Sequence, residues 1–328
     1  MSAAWWAIVA VAPAAIAWGA ILVIGKSPLA SRLADVPNER SLHEVPTPRI
    51  GGLGLMAGAM PFAVAFAGPA LLTVLIAALF LSALSFADDA RSLPVQVRLA
   101  AHGVAAAIVV ASLASGAEPA GSMLVESLVA ALAIVWMTNL FNFMDGADGL
   151  AGGMAAIGFG ALAIAAAMAG EPALAAAAAA IASASLGFLA TNFPPARVFM
   201  GDAGSVPLGF LAGALGYLGW KNGAWPLFLP VLSFAPFIAD ASLTLVRRIF
   251  RGEPFWKAHR KHAYQRLVLA GWPRRRLALA AYVLMLASAA AGIAALHAGG
   301  PLRLGVLLCT AATYLLLFVA IEVRVRAT

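Results

Sequence analysis

Long runs of apolar residues separated by short polar segments extend along the whole chain. A run of about 17 to 25 such residues is long enough to cross a bilayer as a helix. Charged residues, Gly or Pro bound each run. The predicted spans are 4–24, 51–68, 70–87, 97–115, 122–141, 150–169, 172–190, 203–220, 224–246, 277–297 and 302–322. The pattern predicts an all-α, polytopic integral membrane protein with about eleven transmembrane helices.

The composition agrees with this pattern. Hydrophobic residues make up 63% of the chain and charged residues only 11%, whereas soluble domains carry about 25% charged residues. No polar segment is long enough to bury a core of its own, so residues 1–328 are predicted to form one transmembrane domain. The single cysteine, Cys309, excludes an intrachain disulfide framework.

The basic residues lie mainly on one side of the predicted membrane. If connections alternate between the two sides, 19 of the 21 Lys and Arg residues fall on the same side. The positive-inside rule makes that side cytoplasmic, with the N-terminus outside and the C-terminus inside. The net charge of +7 therefore indicates membrane orientation and not a nucleic-acid partner. The predicted active-site loops on this side are 25–50, 88–96, 142–149, 191–202 and 247–276.

The first of these loops ends in a stiff, basic segment. Residues 46–52 read PTPRIGG, in which prolines restrict the backbone and glycines permit close approach to another chain segment. His43 and Arg49 are candidates to bind phosphate. A stiff loop with an interfacial arginine is the alternative.

Two adjacent acids, Asp88 and Asp89, directly follow a predicted span. Neighbouring carboxylates repel each other and resist burial. A divalent cation relieves both costs, and oxygen ligands suit Mg²⁺. A solvated polar loop is the alternative.

Polar residues recur every third position at the end of another span. Asn142, Asp145 and Asp148 share this spacing, which places them along one face of a helix. Polar groups at this depth are costly unless they are used. Capping of a helix end is the alternative.

The loop 191–202 combines aromatic, amide and acidic side chains. Gly201 and Gly204 bracket Asp202 and predict a carboxylate on a tight turn. Phe199 could stack on a base, and Asn192 lies at the start of the loop. The alternatives are an interfacial packing role for Phe199 and a helix cap for Asp202.

The loop 247–276 carries ten basic residues and one acid. His259 and His262 are spaced to share a helical face, and with Arg260 they predict a cationic mouth for phosphates. Tyr264 and Gln265 could hydrogen-bond a sugar. An anchor on anionic lipids is the alternative, and zinc is disfavoured because soft ligands are too few.

One acid, Asp240, falls inside a predicted span. An ionisable group there needs a partner. Arg247, two helical turns further on, is the predicted partner, and Asp240 is predicted either to be structural or to support residues of the site.

Taken in order, the five polar loops resemble those of the polyprenyl-phosphate N-acetylhexosamine-1-phosphate transferase superfamily. The matching motifs are PTPR-x-GG-x-G, DD, N-x-x-N-x-x-DG-x-DG, VFMGD-x-GS and H-x-x-H. The resemblance implies Mg²⁺-dependent attack of a polyprenyl phosphate on the β-phosphate of a UDP-sugar, with release of UMP. Mn²⁺ is an alternative ion, and a homodimer is left open.

The resemblance also implies roles for individual residues. Asp202 would be the metal ligand, Asp88 the proposed base, and Phe199 and Asn192 would hold uracil. The candidate catalytic residues are Asp88, Asp89, Asp145, Asp148, His259 and His262. The candidate substrate-binding residues are Asn142, Asn192, Phe199, Arg49, His43 and Arg260. The candidate metal ligands are Asp202 and Asp89.

The last motif bears on the substrate. This chain has HRKHAYQRL at 259–267, whereas the peptidoglycan enzyme of the superfamily tends to have consecutive histidines. The sequence looks closer to enzymes of the bacterial inner membrane that initiate O-antigen or related polysaccharides. A phospho-N-acetylmuramoyl-pentapeptide transferase is the alternative within the superfamily. A secondary transporter or an assembly scaffold are the alternatives outside it.

Overall fold

The computed structural model describes residues 2–37, 45–114, 120–254 and 259–326, and it is built almost wholly of helices. Two short strands, β1 and β2, pair near the N-terminus. The elements are α1 Ala3–Gly25, α2 Pro28–Arg32, β1 Ala34–Asp35, β2 Thr47–Pro48, α3 Gly51–Val64, α4 Pro69–Arg91, α5 Val95–Leu113, α6 Ala120–Met144, α7 Leu150–Met168, α8 Pro172–Asn192, α9 Asp202–Lys221, α10 Phe228–Ser233, α11 Ala235–Phe250, α12 Ala263–Leu269, α13 Arg274–His297 and α14 Gly300–Arg326.

Eight helices in the described part of the chain are long and apolar enough to cross a membrane. They are α1, α4, α5, α6, α7, α8, α13 and α14. The protein is therefore an all-α, polytopic membrane protein, as the apolar runs predict.

Two predicted spans differ from the structure. The stretch 51–68 yields α3, whose 14 residues extend only about 21 Å, less than the roughly 30 Å hydrocarbon core. The prediction of one continuous span over 224–246 is wrong, because the helix breaks at Phe234 between α10 and α11. Pro236 explains the break, since its ring has no N–H and would clash with the carbonyl four residues earlier.

The core lies around α7, α8 and α9, whereas no residue in the most apolar stretch of α14 is buried. Almost every residue of α9 is buried, and its glycines allow other helices to approach closely. A side-chain carbon added at Gly209 would lie 2.5 Å from the Met137 carbonyl oxygen. Small residues of this kind serve helix packing in lipid, where apolar surface alone gives little drive for association.

The segment before α3 is held by β1 and β2, which pair antiparallel with Ala34 opposite Pro48. The amide of Arg49 extends this contact by donating to the Leu33 carbonyl at 3.0 Å. The backbone of Arg49 is thereby fixed at the entrance to α3. His43, the other phosphate-binding candidate of this loop, lies outside the described residues.

Candidate active site

The start of α3 is joined through its backbone to the loop before α9. The Gly51 and Gly52 amides donate to the Phe199 and Met200 carbonyls at 2.9 and 2.8 Å, and the Phe199 amide donates to Pro48 at 2.9 Å. A side-chain carbon at Gly52 would lie 2.3 Å from the Gly204 nitrogen. The two predicted loops are therefore one structural unit, and glycine is required where they meet.

Three carboxylates meet beside this unit. Asp89, at the end of α4, accepts a bond from the Ala203 amide at 3.3 Å, and its side chain is only 3% exposed. Asp202 begins α9 and accepts a bond from the Asn142 side chain at 2.9 Å. Asp88 lies next to Asp89 and is also buried. The end of the helix bundle that carries Asp88, Asp89, Asp145 and Asp202 is called the polar end below.

Arg98 bridges two of these acids, a role that the sequence analysis did not predict. Its guanidinium lies 2.9 Å from Asp88 and 3.8 Å from Asp202. A cation in the first turn of a helix such as α5 is unfavourable to the helix dipole. The acids of the polar end offset that cost.

Asp145 follows α6 and faces the same acids. Burial, and then the negative charges of Asp202 and Asp89, raise the pKa of the Asp145 carboxyl well above its ordinary value. Carboxylates held this close favour a bound proton or a cation.

Asp148 and Asn192 join neighbouring loops. Asp148 accepts a bond from the Ala196 amide at 3.1 Å, and Arg274 lies 3.5 Å from it. Asn192 is buried and uses both ends of its amide. Its oxygen accepts from the Gly149 amide, and its nitrogen donates to the Val198 carbonyl, both at 2.8 Å. These contacts give both side chains a role in holding the loops together, and their catalytic and uracil-binding roles stay predictions.

Phe199 and Arg49 flank the carboxylates. The Phe199 side chain is half-buried and its backbone is held on both sides by the start of α3. Arg49 forms an ion pair with Asp35 at 2.5 Å and lies 3.9 Å from Asp89. The Arg49 guanidinium therefore stands beside the acids, and the backbone of Phe199 is fixed three residues before Asp202.

The H-x-x-H loop carries two neighbouring imidazole rings. The His259 and His262 ring centroids are 4.9 Å apart, and Arg260 between them is half-buried. Burial, followed by the charges of His262 and Arg248, lowers the pKa of His259 to about 4. His259 is therefore neutral at neutral pH, so the arginines and Lys261 supply most of the positive charge predicted for this loop.

One sequence prediction about this region is corrected by its contacts, and the sugar-binding role of Tyr264 and Gln265 stays a prediction. Arg247 pairs with Glu322 at 2.6 Å and donates to the Lys261 carbonyl, so its predicted pairing with Asp240 is wrong. Tyr264 and Gln265 also have protein partners. The Tyr264 hydroxyl donates to the Phe143 carbonyl at 3.1 Å, and Gln265 accepts from the His262 amide.

The donor set of the polar end fits Mg²⁺. Within the ranges that the structure describes, no three His, Cys, Asp or Glu side chains form a closed metal site. Mg²⁺ does not need one, because it usually binds one or two carboxylates together with water and substrate phosphates. Asp89 and Asp202 are oxygen donors that repel each other and lie close to Asp145, which is the arrangement a divalent cation would stabilise.

Sequence comparisons relate this chain to known transferases. The sequence model of glycosyl transferase family 4 matches residues 71–219. The "Probable undecaprenyl-phosphate N-acetylglucosaminyl 1-phosphate transferase" of Bacillus subtilis is 29% identical over 284 residues, which cover 80% of this chain and 78% of that protein. The decaprenyl-phosphate N-acetylglucosaminephosphotransferase of Mycobacterium tuberculosis is 31% identical over 309 residues, covering 78% and 74%. The phospho-N-acetylmuramoyl-pentapeptide-transferase of Moorella thermoacetica is 37% identical over 177 residues, covering 51% of each chain.

Proposed function

We propose, since this chain belongs to glycosyl transferase family 4 and to its polyprenyl-phosphate N-acetylhexosamine-1-phosphate transferases, that it transfers an N-acetylhexosamine 1-phosphate from a UDP-sugar to a polyprenyl phosphate. The observation that carries this proposal is the group of carboxylates, with Arg98 between two of them, at one end of a membrane bundle. Such a site suits a reaction between two anionic phosphates, whose repulsion is the main obstacle.

The proposed reaction forms one bond and breaks one. An oxygen of the lipid phosphate bonds to the β-phosphorus of the UDP-sugar, and UMP leaves with the electron pair of the broken P–O bond. The lipid phosphate is mostly ionised near pH 7, so Asp88 has no difficult proton to remove. Its contact with Arg98 at 2.9 Å supports an electrostatic role beside the proposed role as base.

Asp202 and Asp89 are proposed to hold Mg²⁺, with Mn²⁺ as an alternative ion. The ion would neutralise charge on the diphosphate of the donor. Asn142 keeps the Asp202 carboxylate in place, since its side chain bonds both Asp202 and Ser205 at 2.9 Å. Arg49 and the H-x-x-H loop, with Arg260, are proposed to bind the remaining phosphate charge.

Phe199 is proposed to stack on uracil. Phe199→Ala should raise the KM for the UDP-sugar about tenfold, because stacking on one base contributes about 1–3 kcal/mol and is largely the same in the ground and transition states. The change in kcat should be smaller. Steady-state kinetics at saturating lipid measure both, Phe199→Tyr keeps the ring as the control, and an unchanged KM would assign Phe199 to packing.

An apolar cavity supports a lipid acceptor. Its volume is about 340 Å³, and it lies between α11, α12, α13 and α14, within the size range of ligand sites. Asp240 and Tyr264 stand on its wall, and Tyr264 contacts the last turn of α6, which leads to Asp145. An isoprenoid chain in this cavity would lie against Met144, which directly precedes Asp145.

The polar end is proposed to face the cytoplasm of a bacterium, where nucleotide sugars are available. The proposal keeps eleven membrane crossings, of which the short α3 would be one and the broken pair α10 and α11 together another. Tags near positions 36, 255 and 328 should then be reachable only from the cytoplasm, and tags near 118 and 222 only from outside. The basis is the division of 19 basic residues against 2. Labelling of intact and permeabilised cells measures this, and a C-terminus exposed outside would contradict it.

The donor is proposed to be a UDP-N-acetylhexosamine, 6-deoxy forms included, whose lipid-linked product initiates a surface polysaccharide such as O-antigen. The H-x-x-H form of the last motif and the N-acetylglucosamine-transferring relatives support this choice. The phospho-N-acetylmuramoyl-pentapeptide relative makes the peptidoglycan reaction the second candidate. A transporter is less well supported, because Asp240 has partners within the protein.

Release of UMP by the purified protein tests the proposed function. We expect release from UDP-N-acetylglucosamine or a related donor, only with polyprenyl phosphate and Mg²⁺ present, and none from UDP-muramoyl-pentapeptide. A lipid product formed only from the muramoyl-pentapeptide donor would overturn the sugar assignment and keep the reaction class. Absence of UMP release with every donor would overturn both.

A further inference from the structure

Asp240 is an acid on α11 that the proposed reaction does not use, yet it has several partners. Its oxygens accept bonds from the Ala263 amide at 2.8 Å, the Tyr264 amide at 3.1 Å and the Thr244 hydroxyl at 3.1 Å. The His262 ring nitrogen lies 3.4 Å away. The Asp240 side chain is 11% exposed, so these partners replace most of its contact with water.

Two of these partners are the first amides of α12. The opening amides of a helix have no acceptor within the helix, and Asp240 supplies one from another helix. The negative charge also suits a helix N-terminus. His262 precedes α12 directly, so the acid that fixes this helix end also fixes the second histidine of the H-x-x-H loop.

The contact continues from α12 to the polar end. Tyr264 stacks on His262, with ring centroids 5.9 Å apart, and donates to the Phe143 carbonyl. A side-chain carbon at Gly146 would lie 2.1 Å from the Tyr264 hydroxyl oxygen. Placement of α12 therefore determines how His262 sits relative to the end of α6 and Gly146, which flank Asp145.

We propose that Asp240 is a positioning residue that holds the H-x-x-H loop against the loop carrying Asp145, by capping α12 from the wall of the apolar cavity. Its effect on catalysis rests on the proposed function, because it acts through residues assigned to the donor diphosphate. The capping contact itself does not depend on that function. A lipid in the cavity would lie against Asp240, the residue that positions the H-x-x-H loop.

Kinetics of Asp240 variants test the catalytic part. Asp240→Ala should lower kcat/KM for the UDP-sugar about a hundredfold per folded molecule, because a displacement of about 1 Å from reactive geometry has an effect of this size. Asp240→Asn keeps an oxygen acceptor and should restore part of the loss. The matched control is Ser242→Ala, which removes a hydrogen bond from Trp136 to α11 and leaves the α12 cap intact.

Hydrogen–deuterium exchange tests the cap without any turnover. In Asp240→Ala, amides in the peptide covering 259–269 should exchange faster, while peptides from α8 and α9 keep their protection. Ser242→Ala should leave 259–269 unchanged. Unchanged exchange in Asp240→Ala, or a kcat/KM within about threefold of wild type, would overturn the proposal. A wild-type protein that releases no UMP while exchange at 259–269 still depends on Asp240 would overturn the proposed function and not the cap.

Discussion

Asp202→Asn is expected to lower kcat about a thousandfold or more, the size of effect seen when a strong electrostatic group is lost from an active site. Asparagine has nearly the same shape and can still accept the bond that Asn142 gives to Asp202. The local structure should therefore survive. The variant lacks only the charge that is proposed to hold Mg²⁺ at the start of α9.

UMP release across an Mg²⁺ titration measures this loss. Thermal unfolding in EDTA gives a second measure, in which the variant should be at least as stable as the wild type, because the negative charges of Asp88 and Asp89 lie close to Asp202 and repel it. Glu171→Gln removes one charge at the far end of α8 and should leave activity unchanged. Near-normal activity of Asp202→Asn would remove Asp202 from the metal site.

Asp88→Asn is expected to lower kcat about a hundredfold. Asp88 anchors Arg98 at 2.9 Å and accepts the Leu93 amide at 2.6 Å. Without the Asp88 charge, the guanidinium has Asp202, 3.8 Å away in the native structure, as its nearest anionic partner. If the Arg98 guanidinium moves towards Asp202, it competes with the metal for the Asp202 carboxylate.

A double variant separates this explanation from a role of Asp88 as base. If Arg98 competes with the metal, Asp88→Asn combined with Arg98→Ala should lose less than the two single changes predict together, since coupled neighbours are not additive. Arg98→Lys keeps the charge and serves as the control. Additive losses would contradict the competition, and a wild-type pH profile in Asp88→Asn would show that Asp88 is not the base.

Much of the fold can be predicted from the sequence because the lipid bilayer surrounds most of the chain. Apolar runs must form helices in a bilayer, where every backbone group needs an internal partner, so α1, α4 and α13 follow directly from the sequence. Asp89 and Asp202 could be predicted to meet because acids at span ends are costly unless grouped. Their pairing through the Ala203 amide needed the structure.

Other features depend on contacts between distant positions. Arg98 stands nine residues after Asp89 across a helix break, a spacing that carries no periodic signal. Asp240 contacts Ala263 only because the chain folds back on α11 after that helix ends. Helical spacing along α11 alone points to Arg247 as the partner instead. The break at Phe234 comes from Pro236 acting within a stretch whose hydrophobicity alone favours continuous helix.

The contact between Gly52 and Gly204 leaves no room for even one methyl group. No larger side chain can therefore replace glycine at this contact, because any larger side chain would separate the loop of Arg49 from the carboxylate of Asp202. Diversification towards other donor sugars has to proceed in segments free of this steric limit. The H-x-x-H loop, which is attached through side chains such as Tyr264, can change in sequence while the carboxylates of the polar end stay in place.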